Sequence, residues 1–148
     1  MPRILRSAQV VWEGNVARGQ GRITAATGAF ADLPYSLAAR IGRPEGKTSP
    51  EELLAAAHGG CFTMSLASEL VEAGTPPGRL VVDCQIVMDE VEGQGHQIVG
   101  SNVTVSAEVD GLDEASLREA IAKADEGCPF SALLKRAGAD VKISLQDP

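Results

Sequence analysis

The stretch TSPEELLAAAHGGCFTMSL, residues 48–66, begins a long helix and carries a cysteine inside it. Its Ser-Pro-Glu-Glu run, which starts at Ser49, forms a capping box with proline at the first helical position. Apolar residues recur at helical spacing as far as Gly74, where we expect the helix to end. Gly59 and Gly60 interrupt this pattern, since each glycine in a helix interior costs about 1 kcal/mol relative to alanine. The absence of side chains at these two positions therefore requires a packing or functional reason.

Short β-prone runs lie before this helix and are separated by turn residues. They read AQVVWEG, GRITAATG and PYSLAARI, and we predict a strand in each. Beyond the helix, the longer runs LVVDCQIVMDEVE and HQIVGSNVTVSAEV are joined by Gly93-Gln94-Gly95. Two β-prone runs on either side of such a turn indicate a hairpin, here with strands longer than average.

The last third of the chain returns to a helical pattern. Asp113 can cap a helix that ends at Gly127, and Pro129 then begins a short second helix, FSALLKRA. The run VKISL forms the final strand. The predicted order is β-β-β-α-β-β-α-α-β, an α+β pattern of six strands and three helices. Since no repeat or linker is visible, residues 1–148 are predicted to form one domain.

The composition argues against several classes of partner. Acidic residues number 20 against 13 basic ones, for a formal net charge of -7. Nucleic acids and anionic membranes attract a basic surface, so we expect neither as a partner. No apolar run approaches the roughly 20 residues that span a bilayer, and we expect a soluble, cytoplasmic protein. In that reducing compartment, paired cysteines would point to catalysis or redox sensing rather than to a structural disulfide framework.

Two of the cysteines lie where a thiol can be reactive. Cys61 is inside the long helix, and Cys128 directly precedes Pro129 at a helix N-terminus, where the dipole and free N–H groups stabilise a thiolate. The alternative is that both are small buried hydrophobic residues, and the residues alone leave both interpretations open. Cys84 alternates with Val82 along a predicted strand, which indicates a packing role.

Other groups can assist a thiol or bind a metal. His58 lies three residues before Cys61 and either activates that thiol or packs along the helix. A guanidinium lowers a thiol pKa, and the candidates are Arg18 and Arg40, between which the pattern does not choose. A zinc site is a weak alternative, because neither C-x-x-C nor H-x-x-x-H spacing is present. Its candidate ligands are Cys61, Cys84, Cys128, His58 and His96.

The motifs TSPEELLAAAHGGCF and, far downstream, GCPFS resemble the signature of the OsmC/Ohr family, the osmotically inducible protein C and organic hydroperoxide resistance proteins. The order of elements and the length are similar as well, so the resemblance covers essentially the whole chain. The runs WEGNVARGQG and PYSLAARI resemble the OsmC branch more than the Ohr branch. The resemblance implies an OsmC-like α+β fold, with six strands in antiparallel-rich sheets around central helices, in an intertwined homodimer.

The same resemblance implies a thiol peroxidase that reduces organic hydroperoxides and, more weakly, hydrogen peroxide. Cys61 would be the peroxidatic thiol and Cys128 the resolving thiol, and a dithiol or a lipoylated protein would reduce their disulfide. Glu51 matches the family's glutamate, while the arginine is expected to be Arg40, with Arg18 as the alternative. No metal, flavin or nucleotide cofactor is expected. The rival functions are non-catalytic binding of an apolar ligand and redox sensing.

Helix geometry adds an expectation about the dimer. Glu51 and Cys61 are ten residues apart on one predicted helix, about 15 Å along its axis. A glutamate side chain cannot cover that distance within one chain. Since the resemblance implies that Glu51 and Cys61 belong to the same active site, we expect a composite site in which Glu51 comes from the partner subunit, with two such helices packed antiparallel near Gly59 and Gly60.

Overall fold

A computed structural model describes residues 2–146 of the chain. Over that range the chain folds as two compact units, one up to Pro50 and one from Glu51 onward. The elements are β1 (Ala8–Glu13), β2 (Gln20–Ala25), β3 (Leu33–Tyr35), α1 (Leu37–Ile41), α2 (Pro50–Glu72), β4 (Arg79–Val91), β5 (Gly95–Glu108), α3 (Glu114–Gly127), α4 (Pro129–Arg136) and β6 (Asp140–Leu145). This α+β architecture confirms the predicted class, whereas a single domain over residues 1–148 stays a prediction.

The first unit contains a three-stranded antiparallel sheet in the order β1-β2-β3, counted over the described residues. Gly21 of β2 lies in register between Trp12 of β1 and Tyr35 of β3. The two aromatic rings form a tilted pair with centroids 5.5 Å apart. A Cβ atom on Gly21 would overlap the Tyr35 ring, so glycine is required there for the aromatic pair to close over the strand.

The predicted third strand is shorter in the structure and is followed by an additional helix. Only Leu33–Tyr35 pairs with β2, and the chain then forms α1. Ser36 caps this helix, since its Oγ accepts a hydrogen bond from the backbone N–H of Ala39 at 3.2 Å. The described chain therefore has four helices rather than the three predicted. Arg40 lies in the last turn of α1 and not at the end of a strand.

The second unit contains the sheet β4-β5-β6, in which β5 is the central strand. β4 and β5 form the predicted long antiparallel hairpin, in which Cys84 pairs with Val103. β6 runs parallel to β5. A parallel neighbour needs a long crossover, and α3 and α4 provide it. Asp113 caps α3 as predicted, accepting a hydrogen bond from the Ser116 N–H at 2.8 Å.

Helix α2 crosses the core of the second unit as one continuous helix of 23 residues. Its Phe62, Leu66 and Leu70 are fully buried and pack with Val103 and Val105 of β5. Fully burying a side chain of this size contributes about 1.5–3 kcal/mol. Within residues 2–146 no helix has both the length and the apolar character needed to cross a bilayer.

The opposite face of α2 is exposed. Ala56, Gly60 and Met64 follow one another at every fourth residue along this face. Met64 is 76% exposed and Val71 is 59% exposed. Both belong to the apolar pattern that predicted the helix, but they lie on its exposed side in the single chain. Between Glu52 and Glu72, which are exposed at the two ends of the helix, this side is uncharged and partly apolar.

Candidate active site

The thiols of Cys61 and Cys128 lie together in the second unit. Cys128 is fully buried at the junction of two helices, where it ends α3 and begins α4 with extended backbone angles. Cys61 is partly exposed and packs against the edge of the same core. The two side chains are neighbours, since Cys128 acts on the pKa of the Cys61 thiol, and both are free thiols. The fold thus brings together two cysteines that are far apart in the chain.

The surroundings of Cys61 act on its thiol in opposite directions. Burial is the largest effect and raises the pKa of Cys61, and the neighbouring Cys128 raises it further. The backbone N–H of Phe130 donates to the sulfur and lowers the pKa, but it does not outweigh the other effects. Phe130 belongs to the first turn of α4. Cys128 lies at the N-terminus of α4 as predicted, and the same helix N-terminus also acts on Cys61 through the Phe130 N–H.

A buried histidine network lies one helical turn from the two thiols. His58 is fully buried, and its Nδ1 lies 2.8 Å from Ser101 Oγ while its Nε2 lies 2.8 Å from Ser131 Oγ. Both serines are fully buried as well. The Cys84 sulfur lies 3.4 Å from Ser101 Oγ and 3.7 Å from His58 Nδ1. Both ring nitrogens of His58 are thus hydrogen-bonded inside the core.

Burial also determines the charge state of His58. It is the largest effect and lowers the pKa of His58 from its ordinary value of 6.5. The negative charge of Asp125 raises this pKa and the positive charge of Lys135 lowers it, and these two groups form an ion pair between α3 and α4. His58 is therefore neutral at physiological pH, and its packed, hydrogen-bonded position agrees with one of the two predicted roles.

Ser101 and Ser131 are site residues that the sequence reasoning did not single out. Serine is common in turns and on surfaces, and neither residue belongs to a recognisable motif. Only the packing of α2 between β5 and α4 places their hydroxyls at the two ring nitrogens of His58.

Gly59 is explained by the packing of α2 on β4. A Cβ atom on Gly59 would come within 3.1 Å of the Cys84 Cβ, whereas a Cβ on Gly60 would meet nothing within 4 Å. A groove of about 590 Å³ runs here between α2 and β4. Both glycines and Cys84 line it. The two glycines thus have different roles. Gly59 permits close packing of α2 on Cys84, whereas Gly60 faces open space in the single chain.

The remaining predicted site residues lie elsewhere. Glu51 is in the first turn of α2, so its distance from Cys61 along the helix is about 15 Å, as expected. Arg18 follows β1 in the chain and lines a cavity of about 410 Å³. Arg40 lines a separate cavity of about 330 Å³ that is mostly apolar. Both arginines belong to the first unit and Cys61 to the second, and the choice between them stays a prediction.

The candidate zinc ligands do not form a cluster within the part of the chain that the structure describes, where no three His, Cys, Asp or Glu side chains are grouped to hold a metal ion. Cys61 pairs with Cys128, and Cys84 lies beside His58. His96 is exposed at the start of β5.

Comparison with known proteins gives a consistent result. The family model described as OsmC-like protein matches residues 42–144, which include Glu51, Cys61 and Cys128. Peroxiredoxin OsmC of Escherichia coli (strain K12) is 35% identical over 143 residues, covering 97% of this chain and 96% of that protein. An organic hydroperoxide resistance protein of Xanthomonas axonopodis pv. citri (strain 306) is 30% identical over 99 residues, 66% of each chain.

The fold has solved counterparts. The crystal structure of the organic hydroperoxide resistance protein OhrB of Bacillus subtilis superimposes with a TM-score of 0.74 at 27% identity. The match covers 95% of this chain and 98% of that one.

Proposed function

This chain belongs to the family of OsmC-like proteins, and from that membership we propose that it is a cysteine-based peroxidase that reduces organic hydroperoxides and, more weakly, hydrogen peroxide. The observation that carries the proposal is that Cys61 and Cys128 are neighbouring free thiols at one core, close enough for Cys128 to act on the pKa of Cys61. One thiol is partly exposed and can meet a substrate, while the other is buried beside it. This is the arrangement that a two-cysteine cycle needs.

In the first step, the Cys61 thiolate attacks the distal oxygen of the hydroperoxide. An S–O bond forms, the O–O bond breaks, and the alkoxide takes up a proton and leaves as an alcohol. Cys61 is then a sulfenic acid. The N–H of Phe130 supports this step because it donates to the sulfur when the sulfur is negatively charged.

In the second step, the sulfur of Cys128 attacks the sulfur of the Cys61 sulfenic acid. The S–S bond forms, the S–OH bond breaks, and the hydroxide leaves as water with the proton of Cys128. An external dithiol or a dihydrolipoyl group on a partner protein then opens the disulfide by thiol–disulfide exchange, and both thiols are restored. The cycle uses no resident metal or organic cofactor.

A cation must assist the first step. Burial and Cys128 together raise the pKa of Cys61, so the thiol needs a positive charge to ionise near neutral pH. We assign this role to Arg40, with Arg18 as the alternative, and Glu51 would hold the guanidinium in place. A guanidinium also stabilises the negative charge that develops on the leaving oxygen.

The cavity beside Arg40 supports an organic substrate. Trp12, Val16, Tyr35 and Leu37 line it together with Arg40. An apolar cavity next to a guanidinium suits a hydroperoxide with a hydrocarbon substituent. Hydrogen peroxide has no such group and would gain nothing from the apolar wall, which is the reason for the weaker activity expected with it.

A homodimer would complete the site. The exposed face of α2, which includes Gly60 and Met64, has the small and apolar residues that suit a partner helix. Strand β1 is exposed along its whole length and carries Val10 and Val11. In a two-fold dimer with antiparallel α2 helices, Glu51 of one chain would approach Cys61 of the other.

The apolar cavity also favours a second candidate, which is binding of an apolar ligand without turnover. Reduced protein mixed with cumene hydroperoxide and dihydrolipoamide separates the two functions when peroxide loss is followed. Rapid loss that depends on both the protein and the dithiol supports the peroxidase. Stoichiometric binding with no peroxide loss would favour the ligand-binding protein.

A further inference from the structure

The His58 network connects the two helices that carry the reacting thiols. His58 lies three residues before Cys61 on α2, and Ser131 lies three residues after Cys128 on α4. Three residues correspond to about 4.5 Å along a helix axis. The hydrogen bond between His58 Nε2 and Ser131 Oγ therefore lies about one turn away from the thiol pair and joins the same two helices.

The other side of the ring is attached to the sheet. His58 Nδ1 lies 2.8 Å from Ser101 Oγ on β5, the central strand. A neutral imidazole donates from one nitrogen and accepts at the other, and a serine hydroxyl can take either part. Both bonds can therefore form with a neutral ring. The sheet, α2 and α4 are tied together through one side chain.

We propose that His58 is a positioning residue for the second step of the cycle, which through Ser131 holds α4 so that the sulfur of Cys128 stays aligned with the sulfur of Cys61. The inference rests on the proposed peroxidase function and adds a role for a residue that does not touch the substrate. His58 is not a base for Cys61 in this arrangement, because both of its ring nitrogens are already hydrogen-bonded to serines.

Alignment matters most for disulfide formation. The attacking sulfur must approach the sulfenic sulfur opposite the leaving hydroxyl, and a misplacement of about 1 Å can slow such a reaction up to about 100-fold. The attack on hydroperoxide needs no contribution from α4 beyond the Phe130 N–H. Loss of the His58–Ser131 bond should therefore slow the second step far more than the first.

The test compares two serine variants that each remove one hydroxyl from the same ring. Ser131→Ala disconnects His58 from α4, and Ser101→Ala disconnects it from β5. Each reduced protein is mixed with one equivalent of cumene hydroperoxide and quenched over time. Intact-mass spectrometry, with dimedone to trap sulfenic acid, then gives the rates of sulfenic acid formation, disulfide formation and over-oxidation to sulfinic acid.

For Ser131→Ala we expect sulfenic acid to form within about twofold of the wild-type rate, and the disulfide to form about tenfold more slowly. Sulfinic acid should accumulate as a result. Ser101→Ala should retain a disulfide rate closer to wild type. Disulfide formation at the wild-type rate in Ser131→Ala would overturn the proposal. Disulfide formation that is slowed equally in both variants would overturn it as well.

If a serine variant fails to fold, a second pair of variants tests the hydrogen bond between His58 and Ser131 from the side of the ring. The amide of His58→Gln reaches the position of Nε2, whereas that of His58→Asn reaches the position of Nδ1. His58→Gln should therefore form the disulfide faster than His58→Asn, and the reverse order would contradict the proposal. If the wild-type protein itself forms no disulfide between Cys61 and Cys128, the proposed function fails instead, and the two failures are distinguishable.

Discussion

The backbone of Gly59 lies directly against Cys84, so that a Cβ atom on Gly59 would come within 3.1 Å of the Cys84 Cβ. This contact brings α2 and β4 together two residues before Cys61. Neither residue is chemically involved in the proposed cycle. Their packing nevertheless fixes the helix that carries Cys61, the proposed peroxidatic thiol, and it gives Gly59 a packing role that its neighbour Gly60 does not share.

Gly59→Ala should therefore be less stable than Gly60→Ala. Overpacking costs about 1–3 kcal/mol, while the gain in helix propensity, about 1 kcal/mol, is common to both variants. Urea denaturation monitored by circular dichroism measures the difference, at several protein concentrations so that any dimer contribution is visible. Equal free energies of unfolding for the two variants would show that the Cys84 side chain moves aside with no loss of stability.

Gly60→Leu tests the proposed dimer contact. The single chain has room for the new side chain, since a Cβ on Gly60 meets nothing within 4 Å. Two helices that approach closely at this point would be separated by it, so we expect a monomer and a loss of peroxidase activity. Sedimentation velocity gives the oligomeric state. Ala122→Leu, on an exposed position of α3, is the matched control and should remain dimeric.

Replacement of each cysteine should produce a different defect. Cys61→Ser should abolish peroxide reduction, because a serine hydroxyl without a strong base is a poor nucleophile. Cys128→Ser should react once with hydroperoxide and then fail to recycle, leaving a sulfenic acid that is easily over-oxidised. Cys84→Ser should leave the activity nearly intact and serves as the control. The measurement is peroxide loss over many turnovers, and full activity of Cys128→Ser would exclude the two-cysteine cycle.

The two arginines can be separated by their effect on the Cys61 thiol. We expect Arg40→Ala to raise the pKa of Cys61 and to slow its oxidation at neutral pH, because a nearby guanidinium stabilises the thiolate. Arg18→Ala should change neither quantity. Thiolate absorbance, titrated against pH in a Cys84→Ser, Cys128→Ser background, gives the pKa directly. An effect confined to Arg18→Ala would reverse the assignment.

Mixing of two inactive variants tests the composite site. Glu51→Ala retains the thiols and Cys61→Ser retains the glutamate, so a heterodimer of the two should contain one working site if Glu51 acts across the dimer. Activity should return after the subunits have exchanged, and differently tagged chains show whether they have. Exchange without recovery of activity would show that the composite site is wrong.

His58 should make the stability depend on pH. The folded-state pKa of His58 lies below its ordinary value of 6.5, which the unfolded chain is expected to show. The contribution of the neutral His58 to the free energy of unfolding is therefore complete above about pH 6.5. It is lost as the pH falls towards the folded-state pKa. Among the facing groups, Asp125 favours the charged ring, Lys135 opposes it, and Cys84 is a neighbour.

The His58→Gln variant should show a smaller decrease in Tm between pH 7.5 and pH 5.5 than the wild type, because glutamine does not take up a proton in that range. Differential scanning calorimetry measures the change. The exposed His96→Gln is the control and should keep the wild-type decrease. If His58→Gln shows the wild-type decrease in Tm as well, His58 is not the group responsible for that decrease.

The sequence by itself determined the order of elements, because caps, turns and periodicity are local properties. Asp113, the Gly93-Gln94-Gly95 turn and the proline at the start of α2 all predicted boundaries that the structure has. The prediction of a strand was wrong after Tyr35, where Ser36 caps a helix. Local propensity is a weak guide when a single side-chain hydrogen bond decides between two conformations.

Only the tertiary structure decided which side chains meet. Cys61 and Cys128 are distant in sequence, and their thiols come together because α2 and α4 pack in the same core. Ser101 and Ser131 have no motif, and they become partners of His58 only through that packing. The reason for Gly59 likewise lies on another strand, at Cys84. Contacts of this kind depend on long-range packing, which a pattern read along one chain does not contain.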